Sequence, residues 1–311
     1  MIIKIVFMGS PEFAVPSLKA LAENFEVVGV VTQPDKPAGR GQVLTPPPVK
    51  TLAQQLGLPF IQPGRLKEPS AMDQLQAWQP DLIVVAAFGQ ILRPAVLNLP
   101  LFGCVNVHAS LLPRWRGAAP IQAVLLHGDT FSGVTIMRMD PGVDTGPILN
   151  QRGVPIFLDD TSGTLSERLA ALGADILVET LPGFLYGTIQ PQPQDESLVT
   201  YAPMLKKEEG KLDFTQPAAA LARKVRAFNP WPGTFHIWQG QVFKVHRAHA
   251  VDGLEGVLLA GQPGQPEIYE NKPAWWTAQG LLVLDEVQPA GKKPMPGEMF
   301  MRGARNWREQ R

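Results

Sequence analysis

The first 189 residues alternate short apolar runs with stretches of helical spacing, and this alternation limits the possible folds more than any other feature. The apolar runs occupy residues 2–8, 26–32, 81–87, 104–109 and 133–139. Helical spacing occurs over residues 13–21, 49–56, 118–127 and 164–181. Runs that are apolar on both faces are typical of parallel strands covered by helices. We therefore predict an α/β fold with a doubly wound, mostly parallel, Rossmann-like sheet.

The pattern changes after residue 189. Residues 190–206 are polar, contain prolines and show no period, which predicts a semi-rigid linker rather than a packed element. One helix follows at 217–228, and short alternating strands separated by Gly and Pro are then typical of a small β-barrel. We predict a sheet domain over 1–189, a linker over 190–206 and a C-terminal, OB-like β-barrel domain over 207–311.

Composition narrows the class of protein. Hydrophobic residues make up 45% of the 311 residues and charged residues 18%, the balance of a globular protein. The sequence has no apolar run of about 18 residues and no basic segment followed by an apolar leader, so we expect a cytoplasmic protein without a membrane segment. The one cysteine, Cys104, lies in an apolar run, which favours a buried thiol over a nucleophile and excludes an intramolecular disulfide.

The net charge is zero, but the charges are unevenly distributed. Residues 1–205 hold 13 Lys and Arg against 17 Asp and Glu, a net of −4, and residues 206–311 hold 15 against 11, a net of +4. This excess suggests an anionic partner for the C-terminal part, although a solvated surface explains a bias of this size more simply. Four terminal arginines recur every three residues and would form a drifting stripe on a helix: Arg302, Arg305, Arg308 and Arg311.

The turn after the first strand argues against a nicotinamide cofactor. Gly9 ends that strand, but Pro11 and Ala14 stand where the dinucleotide fingerprint G-x-G-x-x-G requires glycines. A proline at the second site blocks the close approach of the backbone to a pyrophosphate.

Asn106 and His108 are two residues apart on an apolar strand, so their side chains leave the same face of the sheet. They lie near the carboxyl end of the strand, where open α/β sheets bind ligands. An amide N–H and an imidazole N–H suit a carbonyl oxygen that becomes an oxyanion. The competing interpretation is a pair of core polar residues that satisfy loop backbone groups.

A Gly- and Pro-rich loop at 139–149 carries Asp140 and Asp144. A carboxylate near His108 favours the charged imidazole, fixes its tautomer and can hold a water that relays protons. Either aspartate could instead cap loop amides in an Asx-turn, and Asp140 fits that interpretation better. No metal is expected, because His246 and His249 have no obvious third ligand.

Six segments of the chain form a distinctive set: GSPEFAVPSL, TQPDKPAGRG, NVHASLLPRWRGAAPIQ, MDPGVDTGP, LVTYAPMLKKEEG and AFNPWPG. Together they resemble the methionyl-tRNA formyltransferase family over essentially the whole chain. The resemblance implies formylation of initiator methionyl-tRNA with 10-formyltetrahydrofolate as co-substrate. It also implies that Asn106, His108 and Asp144 are the catalytic residues, which agrees with the chemistry inferred from the residues themselves.

The resemblance implies further site residues. The folate site would comprise Phe88, Gly89, Gln90, Ile91, Leu92, Ser110, Leu111, Leu112, Pro113, Met139 and Asp140. Phe13 would form a wall for the methionyl side chain, with core packing as the competing interpretation. The tRNA would contact Arg40, in the long Gly- and Pro-rich loop at 33–50, together with Lys206 and Lys207. Lys36 fits a solvated loop residue better.

Three other functions share part of this pattern. A folate-dependent formyltransferase acting on a small amine, such as an amino-sugar nucleotide, would use the same three residues without the Arg40 loop. An RNA-binding protein with an inactive transferase domain would bind tRNA without turnover. A folate hydrolase would use water in place of the amine. A monomer is the simplest oligomeric state to expect.

Overall fold

The computed structural model describes residues 2–38, 41, 43–251, 261–304 and 306–308. The chain forms two compact units. Unit 1 contains residues 1–120, 131–155 and 166–202, and unit 2 contains residues 121–130, 156–165 and 203–311.

Short elements alternate along the chain, as the sequence predicts. The strands and helices up to residue 189 are β1 Lys4–Gly9, α1 Val15–Asn24, β2 Glu26–Val31, β3 Lys36–Ala38, β4 Val43–Thr45, α2 Pro48–Gln55, β5 Phe60–Ile61, α3 Pro69–Trp78, β6 Leu82–Ala86, α4 Pro94–Leu97, β7 Cys104–His108, β8 Arg116–Gly117, α5 Pro120–His127, β9 Phe131–Arg138, β10 Ile148–Pro155 and α6 Ser162–Leu185. The later ones are β11 Tyr201–Ala202, α7 Ala218–Ala227, β12 Thr234–Trp238, β13 Gln241–Val251, β14 Pro266–Tyr269, β15 Lys272–Trp276, β16 Leu281–Gln288, β17 Met295–Pro296 and α8 Gly297–Gly303.

The main sheet of unit 1 has the order β10-β9-β7-β6-β1-β2-β5. Strands β5, β2, β1, β6 and β7 pair in parallel, whereas β9 runs antiparallel to β7, and β10 to β9. The predicted mostly parallel, Rossmann-like sheet is therefore confirmed. Two strands of this sheet are absent from the predicted pattern: β5, which has two residues, and β10, which is largely exposed and lacks a continuous apolar run.

Helix α6 approaches the strand that carries the candidate site. A Cβ added at Gly173 would lie 2.8 Å from Val107 Cγ1, so the absence of a side chain permits this contact. Successive side chains of a strand point to opposite faces, so Val107 faces α6 while Asn106 and His108 point to the other face of the sheet. The helix is also longer than the predicted 164–181, because Thr161 Oγ1 accepts a hydrogen bond from the Thr164 N–H and so caps an earlier start.

Residues 192–202 pack on unit 1, although their composition predicts an unpacked linker. Strand β11 pairs in parallel with β8, and the Arg116 N–H donates to the Thr200 carbonyl at 2.9 Å. The expectation of an unpacked segment is wrong here, because side chains distant in sequence satisfy its polar groups. Composition does not report such pairing.

Unit 2 is built on an antiparallel sheet of order β12-β13-β16-β15-β14, with β17 paired to β16. The helix predicted at 217–228 is confirmed as α7. A cluster of aromatic rings fills the core, including Phe243, Trp275 and Trp307, all at most 1% exposed. Closure of this sheet into an OB-like barrel stays a prediction. Among the described residues of the chain, every helix is too short or too polar to cross a membrane.

Candidate active site

Strand β7 presents Asn106 and His108 on one face of the sheet, opposite Met137 and Thr135 of β9. His108 is buried, with 5% of its surface exposed, and Asn106 is partly buried. Asp144, from the loop between β9 and β10, lies beside both side chains. The Asn106 Nδ2 group donates a long hydrogen bond of 3.5 Å to Asp144 Oδ1, and His108 Nδ1 lies 3.6 Å from Asp144 Oδ2. The structure thus brings the three candidate residues together.

The imidazole of His108 is oriented from both sides. Its Nε2 lies 3.1 Å from the carbonyl oxygen of Trp115. A carbonyl oxygen only accepts hydrogen bonds, so Nε2 carries a hydrogen and donates it. In the neutral ring the lone pair then sits on Nδ1, facing a carboxylate oxygen that also holds lone pairs. A proton or a donor group between His108 Nδ1 and Asp144 Oδ2 removes the repulsion between their lone pairs.

The backbone conformation at Asp144 is unusual, with a φ of 53°. The Gly117 N–H donates to Asp144 Oδ2 at 2.9 Å, which fixes the carboxylate in this conformation. Gly117 itself has a φ of 122°, and a Cβ there would lie 2.5 Å from the Ala202 carbonyl oxygen. Glycine is therefore required at this position, within the segment RWRGAAP.

Asp140 behaves differently from Asp144. Its Oδ1 accepts from the Gly142 N–H at 3.0 Å and from Thr145 Oγ1 at 2.6 Å. These contacts are those of an Asx-turn that holds the loop, as the competing interpretation of Asp140 predicts.

The predicted folate segment Ser110 to Pro113 follows β7. The Ser110 hydroxyl donates to the Arg114 carbonyl at 2.6 Å, and the Ser110 carbonyl accepts from Thr135 Oγ1 at 2.6 Å. The Leu112 N–H donates to Thr135 Oγ1, and the Leu112 carbonyl accepts from Gln151 Nε2 at 2.7 Å. The polar groups of Ser110 and Leu112 are thus engaged within the protein, and the partly exposed Leu111 offers an apolar surface.

The other predicted folate residues divide into two groups. Phe88, Leu92 and Met139 pack in one apolar cluster with Leu66 and Val96. Gln90 and the exposed Ile91 line an adjacent cavity of about 540 Å³, and Gly89 stands between the two groups with a φ of 77°. Apolar side chains form part of the cavity wall, and three cations complete it: Arg65, Lys67 and Arg93.

Phe13 lies at a second cavity of unit 1, of about 330 Å³, between the start of α1 and residues 166–170 of α6. It is half-buried. The position is open enough to contact a ligand and buried enough to pack in the protein.

Within the segment 33–50, strands β3 and β4 pair antiparallel, with Pro37 opposite Leu44. The Lys50 ammonium lies 2.7 Å from Asp35 Oδ2, and Gln62 Nε2 donates to Asp35 Oδ1 at 2.7 Å. These two partners, Gln62 and Lys50, lower the pKa of Asp35. The predicted contact residue Arg40 lies outside the described residues.

The candidate phosphate-binding cations lie in unit 2. Lys206 and Lys207 are exposed. Helix α8 ends at Gly303, so Arg302 and Arg308 do not share one helix face, and Arg308 pairs with Glu267. Arg305 and Arg311 lie outside the described residues.

Cys104 and the histidines of unit 2 are not part of the candidate site. Burial raises the pKa of the Cys104 thiol to about 12, so the predicted buried thiol is confirmed. His249 Nδ1 lies 2.8 Å from Asp285 Oδ2, and His246 Nε2 lies 3.0 Å from Gln288 Oε1. Within the described ranges, no group of three or more His, Cys, Asp or Glu side chains is arranged to hold a metal ion.

Sequence analysis missed the residues that surround the three candidates. Gln194 Nε2 donates to the carbonyl oxygens of Asp144, at 2.8 Å, and Gly146, at 2.7 Å. The Trp115 N–H donates to Thr200 Oγ1 at 2.9 Å. The arginines of NVHASLLPRWRG indicate that charged or polar partners are needed nearby. The partners themselves lie about 80 residues away in the sequence, as Glu196 does for Arg116.

This combination of sheet, site loop and C-terminal antiparallel unit matches a known class of protein. Residues 3–181 match the formyl transferase family, and residues 204–305 match the C-terminal domain of formyl transferases. The chain therefore belongs to the formyl transferase family.

The similarity extends to particular members. The chain is 49% identical over 302 residues to a protein of Myxococcus xanthus named methionyl-tRNA formyltransferase, covering 96% of this chain and 95% of that one. A methionyl-tRNA formyltransferase structure from Clostridium thermocellum aligns with a TM-score of 0.56 and 17% identity, over 84% of this chain and 97% of that one. An N-formyltransferase from Helicobacter canadensis, in complex with folinic acid and dTDP-3-aminofucose, aligns with a TM-score of 0.66 and 18% identity, over 93% and 100%. At these identities, the structural matches support the fold alone.

Proposed function

We propose that this chain transfers a formyl group from 10-formyltetrahydrofolate to the α-amino group of the methionyl moiety of initiator methionyl-tRNA. The product is formylmethionyl-tRNA for translation initiation. The meeting of Asn106, His108 and Asp144 at the end of β7 carries the proposal. The 49% identity to a methionyl-tRNA formyltransferase supports the choice of acceptor.

The reaction needs one oxyanion to be stabilised and one proton to be moved. The amine attacks the formyl carbon, and negative charge develops on the formyl oxygen. Asn106 Nδ2 is the neutral donor for that oxygen, because its 3.5 Å bond to Asp144 is long enough to be exchanged for a shorter one. Once His108 Nδ1 has taken the proton of the attacking amine, its N–H is the second donor.

The proton leaves the attacking nitrogen as the amide forms, and N10 of the departing tetrahydrofolate gains one. His108 Nδ1 and Asp144 Oδ2, 3.6 Å apart, can hold this proton between them or pass it through a water. The hydrogen on His108 Nε2 stays with the Trp115 carbonyl. Nε2 of the imidazole thus fixes the orientation of the ring, and Nδ1 accepts and releases the proton.

The 540 Å³ cavity beside Gln90 and Ile91 supports a folate donor. Its volume lies in the usual range for small-molecule sites, and folates join a flat ring system to an anionic glutamate. Apolar walls suit the rings, and Arg65, Lys67 and Arg93 suit the carboxylates. We propose that residues 88–92, Leu111 and Met139 line the ring portion and that Phe13 contacts the methionyl side chain.

The tRNA contacts are proposed from charge and exposure. The exposed Lys206 and Lys207 would neutralise phosphates, and Arg40 of the loop at 33–50 would contact the acceptor end. In this arrangement residues 1–189 form the catalytic domain and 207–311 the tRNA-binding domain, joined by 190–206. The chain would act as a cytoplasmic monomer.

One assay tests the proposal. The chain is incubated with 10-formyltetrahydrofolate and either charged initiator methionyl-tRNA or an amino-sugar nucleotide, and the formylated product is measured. We expect the formyl group on methionyl-tRNA. Formylation of the sugar amine alone would favour the small-amine enzyme, and release of formate alone would favour a hydrolase. Binding of tRNA without turnover would contradict both proposed transfers.

A further inference from the structure

The segment Gln194 to Thr200 contacts both halves of the candidate site. At one end, Gln194 Nε2 donates to the backbone carbonyls of Asp144 and Gly146, at 2.8 Å and 2.7 Å. At the other end, Thr200 Oγ1 accepts from the Trp115 N–H at 2.9 Å, and the Trp115 carbonyl accepts from His108 Nε2 at 3.1 Å. The contacts reach Asp144 directly and His108 through one residue.

The orientation of the Gln194 amide is determined by its partners. Arg116 Nε and Nη2 donate to Gln194 Oε1 at 3.0 Å and 2.9 Å. A guanidinium only donates and a carbonyl only accepts, so the oxygen of the amide must face Arg116 and its NH₂ must face the two carbonyls. Every polar atom of this side chain is thus used to connect Arg116 to the Asp144 loop.

Arg116 is 2% exposed, and it pairs with Glu196 Oε1 at 2.8 Å. Its hydrogen bond lowers the pKa of Glu196, which is itself largely exposed. An arginine buried to this extent needs fixed partners, because an unpaired buried charge is costly. Gln194 and Glu196 meet that requirement and are held in place by it.

We propose that residues 194–200 are a positioning strap of the active site, in which Gln194 holds Asp144 and Thr200 holds His108 through Trp115. Gln194, Thr200 and Arg116 are positioning residues, since they act on the reacting groups through other residues. This proposal rests on the proposed function only for the identity of the reaction that is assayed. A displacement of about 1 Å in a reacting group can cost roughly 100-fold in rate, so weakening the strap lowers kcat.

The variant Gln194→Glu tests the first anchor with little change in shape. A carboxylate still accepts from Arg116 but has no hydrogens for the Asp144 and Gly146 carbonyls. We expect kcat to fall about 10- to 100-fold, with KM for both substrates within about threefold, because the geometry of the reacting groups changes and not substrate binding. The matched control is Gln190→Glu, which adds the same charge at an exposed residue four positions before Gln194 and should leave kcat within about twofold.

A double-mutant cycle separates positioning from a general structural effect. In an Asp144→Asn background, Gln194→Glu should cost less than about threefold in kcat, because the proton-handling carboxylate that it positions is already absent. A merely structural contact would give the same loss in both backgrounds. An additive result, or a Gln194→Glu enzyme with kcat within threefold of the unchanged chain, would overturn the strap.

The second anchor gives an independent measurement. Thr200→Val removes the acceptor of the Trp115 N–H, and Thr200→Ser restores it; we expect a fall in kcat for valine and recovery for serine. Equal kcat values for the two variants would contradict this half of the strap.

All variants are assayed with whichever amine the unchanged chain formylates. An unchanged chain that formylates neither amine overturns the proposed function, and the double-mutant cycle is then measured on tetrahydrofolate formation.

Discussion

The candidate site of unit 1 and the aromatic core of unit 2 both contain buried polar atoms but treat them differently. Around the site, His108, Ser110, Arg116 and Thr135 each have a hydrogen-bond partner. In the core of unit 2, the described structure provides no hydrogen-bond partner for His236 Nδ1, Trp238 Nε1 or Trp275 Nε1. In the first region, hydrogen bonds of the polar groups fix the positions of the site residues. In the second region, the polar atoms belong to rings that are packed in the apolar core.

Mutations in the two regions should therefore change different properties of the protein. Loss of a polar contact in the site changes the rate of reaction more than stability, because its partners surround the reacting atoms. Loss of a ring in the core changes stability, because packed apolar surface is lost and a cavity remains.

The largest expected effect is on stability in unit 2. Trp275 is fully buried, with ring centroids 4.8 Å from Phe214 and 5.1 Å from Trp307. Trp275→Ala should lower the free energy of unfolding by about 3–5 kcal/mol. Denaturant unfolding measures this loss. The control Trp231→Ala, at a residue that is 54% exposed, should change it by only about 0.5 kcal/mol. Equal losses in the two variants would remove the contrast.

The second-largest effect is expected in unit 1, where the loss of transition-state stabilisation is measured as a fall in kcat. Asn106→Ala and His108→Ala should each lower kcat about 10²- to 10³-fold, as loss of an oxyanion donor does in other enzymes. Steady-state assay of methionyl-tRNA formylation measures the loss, with circular dichroism to verify folding. A change of less than a few-fold in both variants would refute the assigned roles.

The pH dependence of stability should depend on His236. Burial, with the nearby charge of Lys211, lowers the pKa of His236 from its ordinary 6.5. The unfolded chain therefore binds the proton more tightly than the folded chain. As a result, the free energy of unfolding has its full value above about pH 6.5 and declines as the pH falls below it. We expect His236→Phe to lose less stability than the unchanged chain between pH 7.5 and pH 5 in chemical unfolding. An equal loss would show that another group is responsible.

The smallest effect concerns the exposed cations. If Lys206 and Lys207 each contact one phosphate, alanine at either position should reduce the slope of log affinity against log salt by about 0.7 to 0.9. Titration of tRNA binding at several salt concentrations measures this slope, with Lys19→Ala, an exposed lysine of unit 1, as the control. An unchanged slope in both variants would place the phosphate contacts elsewhere.

The order and type of the main elements follow from local sequence patterns. Apolar runs and helical spacing predicted the mostly parallel sheet, because the periods of 2 and 3.6 residues are local properties of strands and helices. The spacing of Asn106 and His108 predicted a shared face for the same reason. Cys104 was predicted as buried because its neighbours are apolar.

The long-range pairings, in contrast, are visible in the folded chain alone. Nothing near Gln194 in the chain indicates that it bonds the Asp144 loop, and nothing near Arg308 indicates its pairing with Glu267. The antiparallel direction of β9 and the packing of residues 192–202 on unit 1 are decided in the same way. The physical reason is that donors and acceptors are satisfied by whichever partner the folded chain brings within about 3 Å, and sequence separation does not limit that choice.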